Sequence, residues 1–425
     1  MPRSERIRGS SCCSEDGVTL EKLLEPLVES EAFQALLARP GDRLGRAEAP
    51  GHPYAAAALA TAVDAPVLAV LPGPREAKAF ADGVEAFLGP ERVALFPAWE
   101  ALPVEGISPS AETVARRARA ARLLRGAQGP TVVAAPVAAA VQRLVPSTGG
   151  REPLRLRTGD EVAPDRLAER LVGLGYVRSD LVVHRGELAV RGGIVDVFPG
   201  AAARPARLEF VGDEVERIRA FSPATQITER PLDALDIDPV RELLPDEEVR
   251  ERARMVGPGR KGRLRDVLTR IEEGLFFEGM EQAAPLLFDH LPVIAELVPD
   301  AGWILVSQPR RTVDRAEELV REAGGLAEAT GWVGPDAVAG PTTALGGRPR
   351  LDLTEFAEGE DLGLTGWGGL RGERLAERAA ALAGDGYRVA VTAAGHGSLE
   401  RAIEVLERAG APRPEHALES GFLEG

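Results

Sequence analysis

Arginines spaced along short alternating runs are the groups in this sequence best placed to do chemistry. From residue 185 to 191 polar and apolar residues alternate, which puts Arg185, Glu187, Ala189 and Arg191 on one face of a half-buried strand and Gly186, Leu188 and Val190 on the other. Arg207 and Glu209 alternate with Leu208 and Phe210, and Arg217 and Arg219 share one side of a further run, Val215 to Phe221. A guanidinium is planar and permanently charged, and its fork of N–H donors suits bidentate recognition of carboxylates at an interface. On spacing alone, the same pattern also describes an ordinary antiparallel sheet with a wet, mixed-charge face.

The elements that must hold these groups are hairpins. Gly192-Gly193 is a two-residue turn signal, Ile194 to Phe198 is a β-branched run closed by Pro199, and Gly212-Asp213 marks the next turn. A helix over Pro164 to Leu174 leads into them. Upstream, strands at Val67–Leu71, Val93–Phe96 and Thr131–Ala135 alternate with helices. Helical periodicity covers Leu20–Leu37 and Pro53–Ala62. Arg75–Leu88 presents Ala79, Phe80, Val84 and Phe87 on one face, and Ser110–Leu124 has Ser110 as N-cap. This alternation predicts a mostly parallel, doubly wound sheet. Helices at Glu247–Met255 and Arg263–Glu273, a strand at Trp303–Ser307 and a helix at Thr312–Ala323 resume the pattern, so the small sheet reads as an insertion. From Pro341 onward a strand at Pro349–Leu353, a helix at Arg374–Ala383, a strand at Tyr387–Thr392 and a helix at Ser398–Ala409 predict a small α/β unit.

At 425 residues the chain is long enough for several domains. No apolar run reaches membrane-spanning length, and Met1 to Gly17 has no signal-peptide core, so the expectation is a cytoplasmic protein with a disordered tail. The only cysteines, Cys12 and Cys13, are adjacent in that tail and form neither a staple nor a zinc site. A net charge of −15 opposes simple duplex binding and favours a protein partner, while leaving room for a local basic patch.

Enzymatic signatures are missing. A phosphate loop needs glycines, a lysine and a magnesium-binding hydroxyl, yet none of Lys22, Lys78 and Lys261 sits in such a context. Ala49-Pro50-Gly51-His52-Pro53-Tyr54 stands where the loop would precede the first long helix, with neither lysine nor hydroxyl in place. His52, His184, His290, His396 and His416 are scattered and read as surface or loop residues, with no metal spacing. Gly395-His396-Gly397-Ser398 reads as a helix start capped by Ser398, and Trp99, Trp303, Trp332 and Trp367 read as core or loop anchors.

Several motifs in order resemble a known family. Gly175-Tyr176-Val177-Arg178 followed by Arg185-Gly186-Glu187-Leu188-Ala189-Val190-Arg191-Gly192, and then Gly212 to Phe221, is similar to the UvrA-binding domain shared by UvrB and the transcription-repair coupling factor (Mfd) family; Leu188 stands where that family usually has Phe or Tyr. Phe96-Pro97-Ala98-Trp99-Glu100-Ala101-Leu102-Pro103 with Ser108-Pro109, Thr131 to Pro136, Phe276 to Glu281 and Pro285-Leu286-Leu287-Phe288 resemble further segments of the coupling-factor version. The resemblance covers residues from about 18 to 340 as the UvrB-homology module and the rest as the third domain.

The resemblance implies an α/β fold: a degenerate P-loop-like, doubly wound parallel sheet with an inserted small antiparallel α+β domain, followed by a small α/β domain. The expected units are a tail at 1–18, the α/β domain at 19–152 and 239–340, the UvrA-binding-like sheet at 153–238, and a third unit at 341–425. It further implies a UvrA-recruiting adaptor in transcription-coupled nucleotide excision repair. Arg178 and Arg191 fall on the motif arginines and Arg185 on the position before the hairpin; with Arg207, Glu209 and Arg219 they form the expected partner-binding set. The family's polymerase-binding, ATP-driven translocase and C-terminal domains match nothing in these residues. ATP, RNA polymerase and DNA are therefore expected only through those regions, and no catalytic residue, cofactor, metal or membrane contact is expected here. A fragment, a truncated gene and a stand-alone adaptor all fit. The competing readings are a UvrB-like ATP-dependent helicase or damage-binding protein and a direct DNA-binding module.

Overall fold

A computed structural model describes residues 20–102, 104–330, 338–356, 358–365, 372–387, 389 and 396–410. The chain divides into two compact units, Lys22–Leu364 and the residues from Thr365 onward together with the N-terminal tail.

In the larger unit the chain first lays down β1 (Arg43–Ala47), β2 (Pro66–Leu71), β3 (Val93–Leu95) and β4 (Thr131–Pro136). It then builds β5 (Leu154–Arg157), β6 (Val177–Arg178), β7 (Glu187–Arg191), β8 (Ile194–Val197), β9 (Ala206–Val211), β10 (Glu214–Phe221), β11 (Thr228–Pro231) and β12 (Ala234–Ile237). It returns with β13 (Trp303–Ser307), β14 (Arg350–Thr354) and β15 (Glu360–Leu364). Strands β1–β4 and β13–β15 form one parallel sheet in the order β15-β1-β14-β13-β2-β4-β3. Its central strands β2, β4 and β13 are buried along their whole length, as befits a sheet covered on both faces. One core packs helix Ala111–Gly126 against Val133 and Ile304; the other packs helices His52–Val63 and Pro74–Leu88 against Val67, Val132 and Leu305. Helix Pro74–Leu88 buries Ala77, Phe80, Ala81, Val84 and Leu88, so the inward stripe runs through Ala77 and Ala81, and Ala79 faces solvent.

Two strands extend this sheet beyond the sequence reading. β1 and β15 are new, and β14 and β15 lie past residue 340, where the reading begins a separate unit. Leu351, Leu353 and Leu362 join the core beneath helix Glu31–Ala38, which is why residues 350–364 stay with the large sheet. In the other unit, helices Glu373–Gly384 and His396–Arg408 pack together. The N-terminal residues expected to form a tail, Cys12 and Cys13, Trp332, Trp367, His416 and most of the strand expected at Tyr387–Thr392 lie outside the described residues.

The inserted sheet has the order β11-β10-β9-β8-β7-β6. All its neighbours are antiparallel except β6 and β7, which run parallel because the chain loops back through residues 179–186 between them. Its inner face packs Leu188, Val195, Val197, Leu208 and Ile218 under helix Pro164–Gly173, through Leu167 and Leu171. Gly192 opens the β7–β8 hairpin at φ +58°, a conformation that favours glycine.

Candidate functional site

Strand alternation sends the other face of this sheet outward, and the register sorts its charges into two cross-strand rows. One row is Ala189–Asp196–Arg207–Arg219 and the next is Arg191–Ile194–Glu209–Arg217. Arg207 grips Asp196 bidentately, Nε to Oδ1 at 2.8 Å and Nη2 to Oδ2 at 2.9 Å, and its guanidinium lies 4.9 Å from the Phe221 ring. Hydrogen bonding to Asp196 pushes the Arg207 pKa up, so it stays charged. Asp196 is almost fully buried, so this pair belongs to the structure of the face. Glu209 pairs with Arg219 on the neighbouring strand. Arg191 is 52% exposed, lies 3.9 Å from the Asp196 carboxylate already taken by Arg207, and its guanidinium makes no hydrogen bond.

Four of the six expected residues, Arg191, Arg207, Glu209 and Arg219, therefore share one face. Arg178 stands exposed on the edge strand β6, in register with Leu188, and its side chain makes no ion pair or hydrogen bond; Val177, Leu181 and Val183 are exposed too. Arg185 does not join them. It precedes β7, donates from Nε to the Gly200 carbonyl at 2.9 Å, approaches Glu112 at 3.6 Å and lies 4.9 Å from the Phe198 ring. It ties the sheet to helix Ala111–Gly126. Phe198 is buried with Val182, Ala189 and Phe221 and is core. The sequence reading missed Asp196 as the anchor of the face, although its pairing opposite Arg207 follows once β8 and β9 are in register.

Helix Ala111–Gly126 is the seat of the inserted sheet. Gly200 approaches it so closely that a Cβ would sit 2.3 Å from the Ala111 carbonyl oxygen. Arg117, fully buried, pairs with buried Glu242; its Nη1 donates to the Pro97 carbonyl at 2.9 Å and its plane lies 4.3 Å from the Phe96 ring. Trp99 Nε1 donates to the same Glu242 at 3.0 Å. Glu100 accepts from the hydroxyls of Ser110 and Thr113 at 2.6 and 2.7 Å. Ser108 donates to Glu281 at 2.5 Å and accepts from the Gly279 N–H at 2.8 Å. Burial pushes the Glu281 pKa up. The Phe96–Glu100, Ser108 and Gly279–Glu281 motif residues are thus braces that fix the sheet on its scaffold.

The carboxyl end of β1, where a nucleotide would be sought, is occupied by the chain itself. Ala49 N–H donates to the Glu355 carboxylate at 3.0 Å, and Leu364 covers Gly51, its Cβ only 3.0 Å from where a Gly51 Cβ would stand. His52 is buried, which corrects its reading as a surface residue: Nε2 meets the Ala47 carbonyl at 3.0 Å and Nδ1 meets Ser307 Oγ at 2.8 Å. Its ring links the ends of β1 and β13, the strands on either side of β14. Among the described residues no cluster of His, Cys, Asp and Glu could hold a metal, and no helix is long and apolar enough to cross a membrane.

A family model described as the UvrB interaction domain matches residues 154–243, the inserted sheet and the segment that returns from it. The transcription-repair-coupling factor of Mycobacterium tuberculosis is 38% identical over 326 residues, covering 72% of this chain and 26% of the relative. That of Myxococcus xanthus is 35% identical over 296 residues, 64% of this chain and 25% of the relative. The match is to the N-terminal region of the transcription-repair-coupling factors. The coupling factor of Escherichia coli, at 28% identity over 247 residues, shows the same relation. The chain spans about a quarter of the length of the Mycobacterium tuberculosis and Myxococcus xanthus coupling factors. This matched region of the coupling factors carries no ATPase motif.

Proposed function

We propose that this chain is a non-catalytic adaptor that docks UvrA through the inserted sheet, as a module of transcription-coupled nucleotide excision repair. The observation that carries the reading is the division of labour on the outer face: Arg207 is consumed by buried Asp196, while the Arg191 guanidinium makes no hydrogen bond; on the edge strand β6, off that face, the Arg178 side chain is unpaired as well. An unspent guanidinium fork on the face, with Arg178 and exposed Val177, Leu181 and Val183 along the β6 edge of the same sheet, suits a partner that offers carboxylates around an apolar contact. The name of the matching domain and the names of the relatives point the same way. RNA polymerase, DNA translocation and ATP belong, on this reading, to coupling-factor regions that this chain does not match. The large sheet is read as a degenerate P-loop-like scaffold whose phosphate cradle has been replaced by Glu355 and Leu364.

Calorimetry with purified UvrA tests the proposal. Arg191→Ala at a central contact is expected to weaken binding by about 2 kcal/mol or more with an unchanged melting temperature. Unaltered affinity in the Arg178→Ala/Arg191→Ala double variant would overturn it. ATP turnover by the purified chain would instead favour the UvrB-like enzyme.

A further inference from the structure

Most arginines of the helical segment after the inserted sheet are neutralised at home. On helix Glu247–Val256, Arg250, Arg252 and Arg254 pair with Glu247, Glu248 and Glu251. The loop that follows differs. Gly257-Pro258-Gly259-Arg260-Lys261-Gly262-Arg263-Leu264-Arg265 holds four cations and no carboxylate, in a chain of net charge −15. Arg265 folds back over Gly257, where a Cβ would sit 1.9 Å from its Nη1, and reaches Glu272 at 3.8 Å, so it fastens the loop. Arg260, Lys261 and Arg263 are exposed and make no ion pair or hydrogen bond with their side chains. Gly259 and Gly262 hold φ at +93° and +60°, which carries the backbone round without bulk. Gly262 is also the N-cap of helix Arg263–Glu272 and offers no side-chain cap. The Arg265 and Asp266 N–H groups already bond the Gly262 carbonyl, and Asp266 puts a carboxylate in the first turn, so the exposed cations of the loop, and not the helix end, are what it offers a ligand.

We propose that this loop is a sequence-independent contact for the phosphate backbone of duplex DNA, separate from the sheet face and independent of the UvrA reading. Exposed, unpaired cations are sufficient for phosphate contact. A protein partner would require an apolar centre, and the exposed stretch from Pro258 to Arg263 contains no large apolar side chain. The acidic remainder of the molecule repels DNA, so the contact is local and weak, suited to holding a protein already delivered to DNA.

The test is fluorescence anisotropy of a labelled 20-base-pair duplex with the full chain across a salt series. If all three side chains engage phosphates, affinity falls about forty-fold between 50 mM and 200 mM salt, from a slope of about −0.9 per phosphate. Arg260→Ala/Lys261→Ala/Arg263→Ala is expected to abolish that binding and its salt slope at an unchanged melting temperature. Arg260→Lys/Arg263→Lys, which keeps the charge, is expected to retain both. Absence of duplex binding by the native chain at 50 mM salt would overturn the proposal. So would an unchanged slope in the triple alanine variant, or tighter loop-dependent binding of poly-glutamate than of duplex.

Discussion

The two sheets of this protein treat their free surfaces in opposite ways. The large parallel sheet closes the strand end at which α/β proteins usually bind ligands: Glu355 takes the Ala49 N–H, Leu364 covers Gly51 and His52 fills the gap behind them. The small sheet covers one end of its outer face with Val182 and Phe198 and leaves the other, with Arg191 and Arg217, open and charged. The same chemistry serves both ends of this contrast. Arg117 and Arg191 are identical side chains, yet one is sealed against Glu242, Trp99 and Phe96, while the other projects past a carboxylate that is already satisfied. What separates a brace from a recognition group is whether the surrounding fold has used up its donors.

The sharpest way to break this comparison is to remove the two arginines in turn. Arg117→Ala leaves the Glu242 carboxylate buried with no countercharge, and a loss of about 3–5 kcal/mol in stability is expected from chemical denaturation. Arg191→Ala, on an open face, is expected to stay within about 0.5 kcal/mol. Similar losses for the two variants would show that the face is less open than its geometry implies.

That contrast also explains what the sequence could and could not show. The buried strands β2, β4 and β13 are apolar runs, and the β7–β8 hairpin is announced by alternation and Gly192-Gly193, so both are legible. β1 and β15 are not. Arg43-Leu44-Gly45-Arg46-Ala47 and Glu360-Asp361-Leu362-Gly363-Leu364 carry charges and glycines at the sheet's edge, and Gly45 makes sense only once Leu353 and Leu362 are seen to fill the space above it. Within helix Ala111–Gly126, Arg116 and Arg117 are indistinguishable in sequence. Arg116 pairs with Glu112 at the surface and Arg117 crosses to Glu242, a difference made by chain more than a hundred residues away. The candidate face was legible as a set of outward arginines; which of them were already spent, as Arg185 and Arg207 are, depended on Gly200, Glu112 and Asp196.

A smaller effect probes the closed end. Leu364→Ala uncovers Gly51 and is expected to cost about 1–2 kcal/mol, less than a fully buried leucine because the side chain is half-exposed. ATP is expected to leave the melting temperature of both native chain and variant unchanged, since no lysine or hydroxyl stands ready for its phosphates. A rise on adding ATP to the variant alone would show that Leu364 is all that keeps nucleotide out. A rise in the native chain would overturn the account of a closed end.

The smallest effect is a pH dependence at His52. The Ala47 carbonyl can only accept, so Nε2 carries the proton and Nδ1 accepts from the Ser307 hydroxyl. Burial lowers the His52 pKa below its usual 6.5, against the weaker opposing pulls of the Ala47 carbonyl and Glu355. A group with a lowered folded pKa binds fewer protons folded than unfolded, so its contribution is complete above the unfolded value and is lost as pH falls below it. Between pH 6.5 and 5.5 this one group can remove at most about 1.4 kcal/mol. His52→Gln lacks that titration, so the gap in stability between native chain and variant is expected to narrow as pH falls through this window. A gap that stays constant from pH 7.5 to 5.5 would mean that His52 tolerates its proton where it sits, and that the end of β1 is wetter and more open than its contacts indicate.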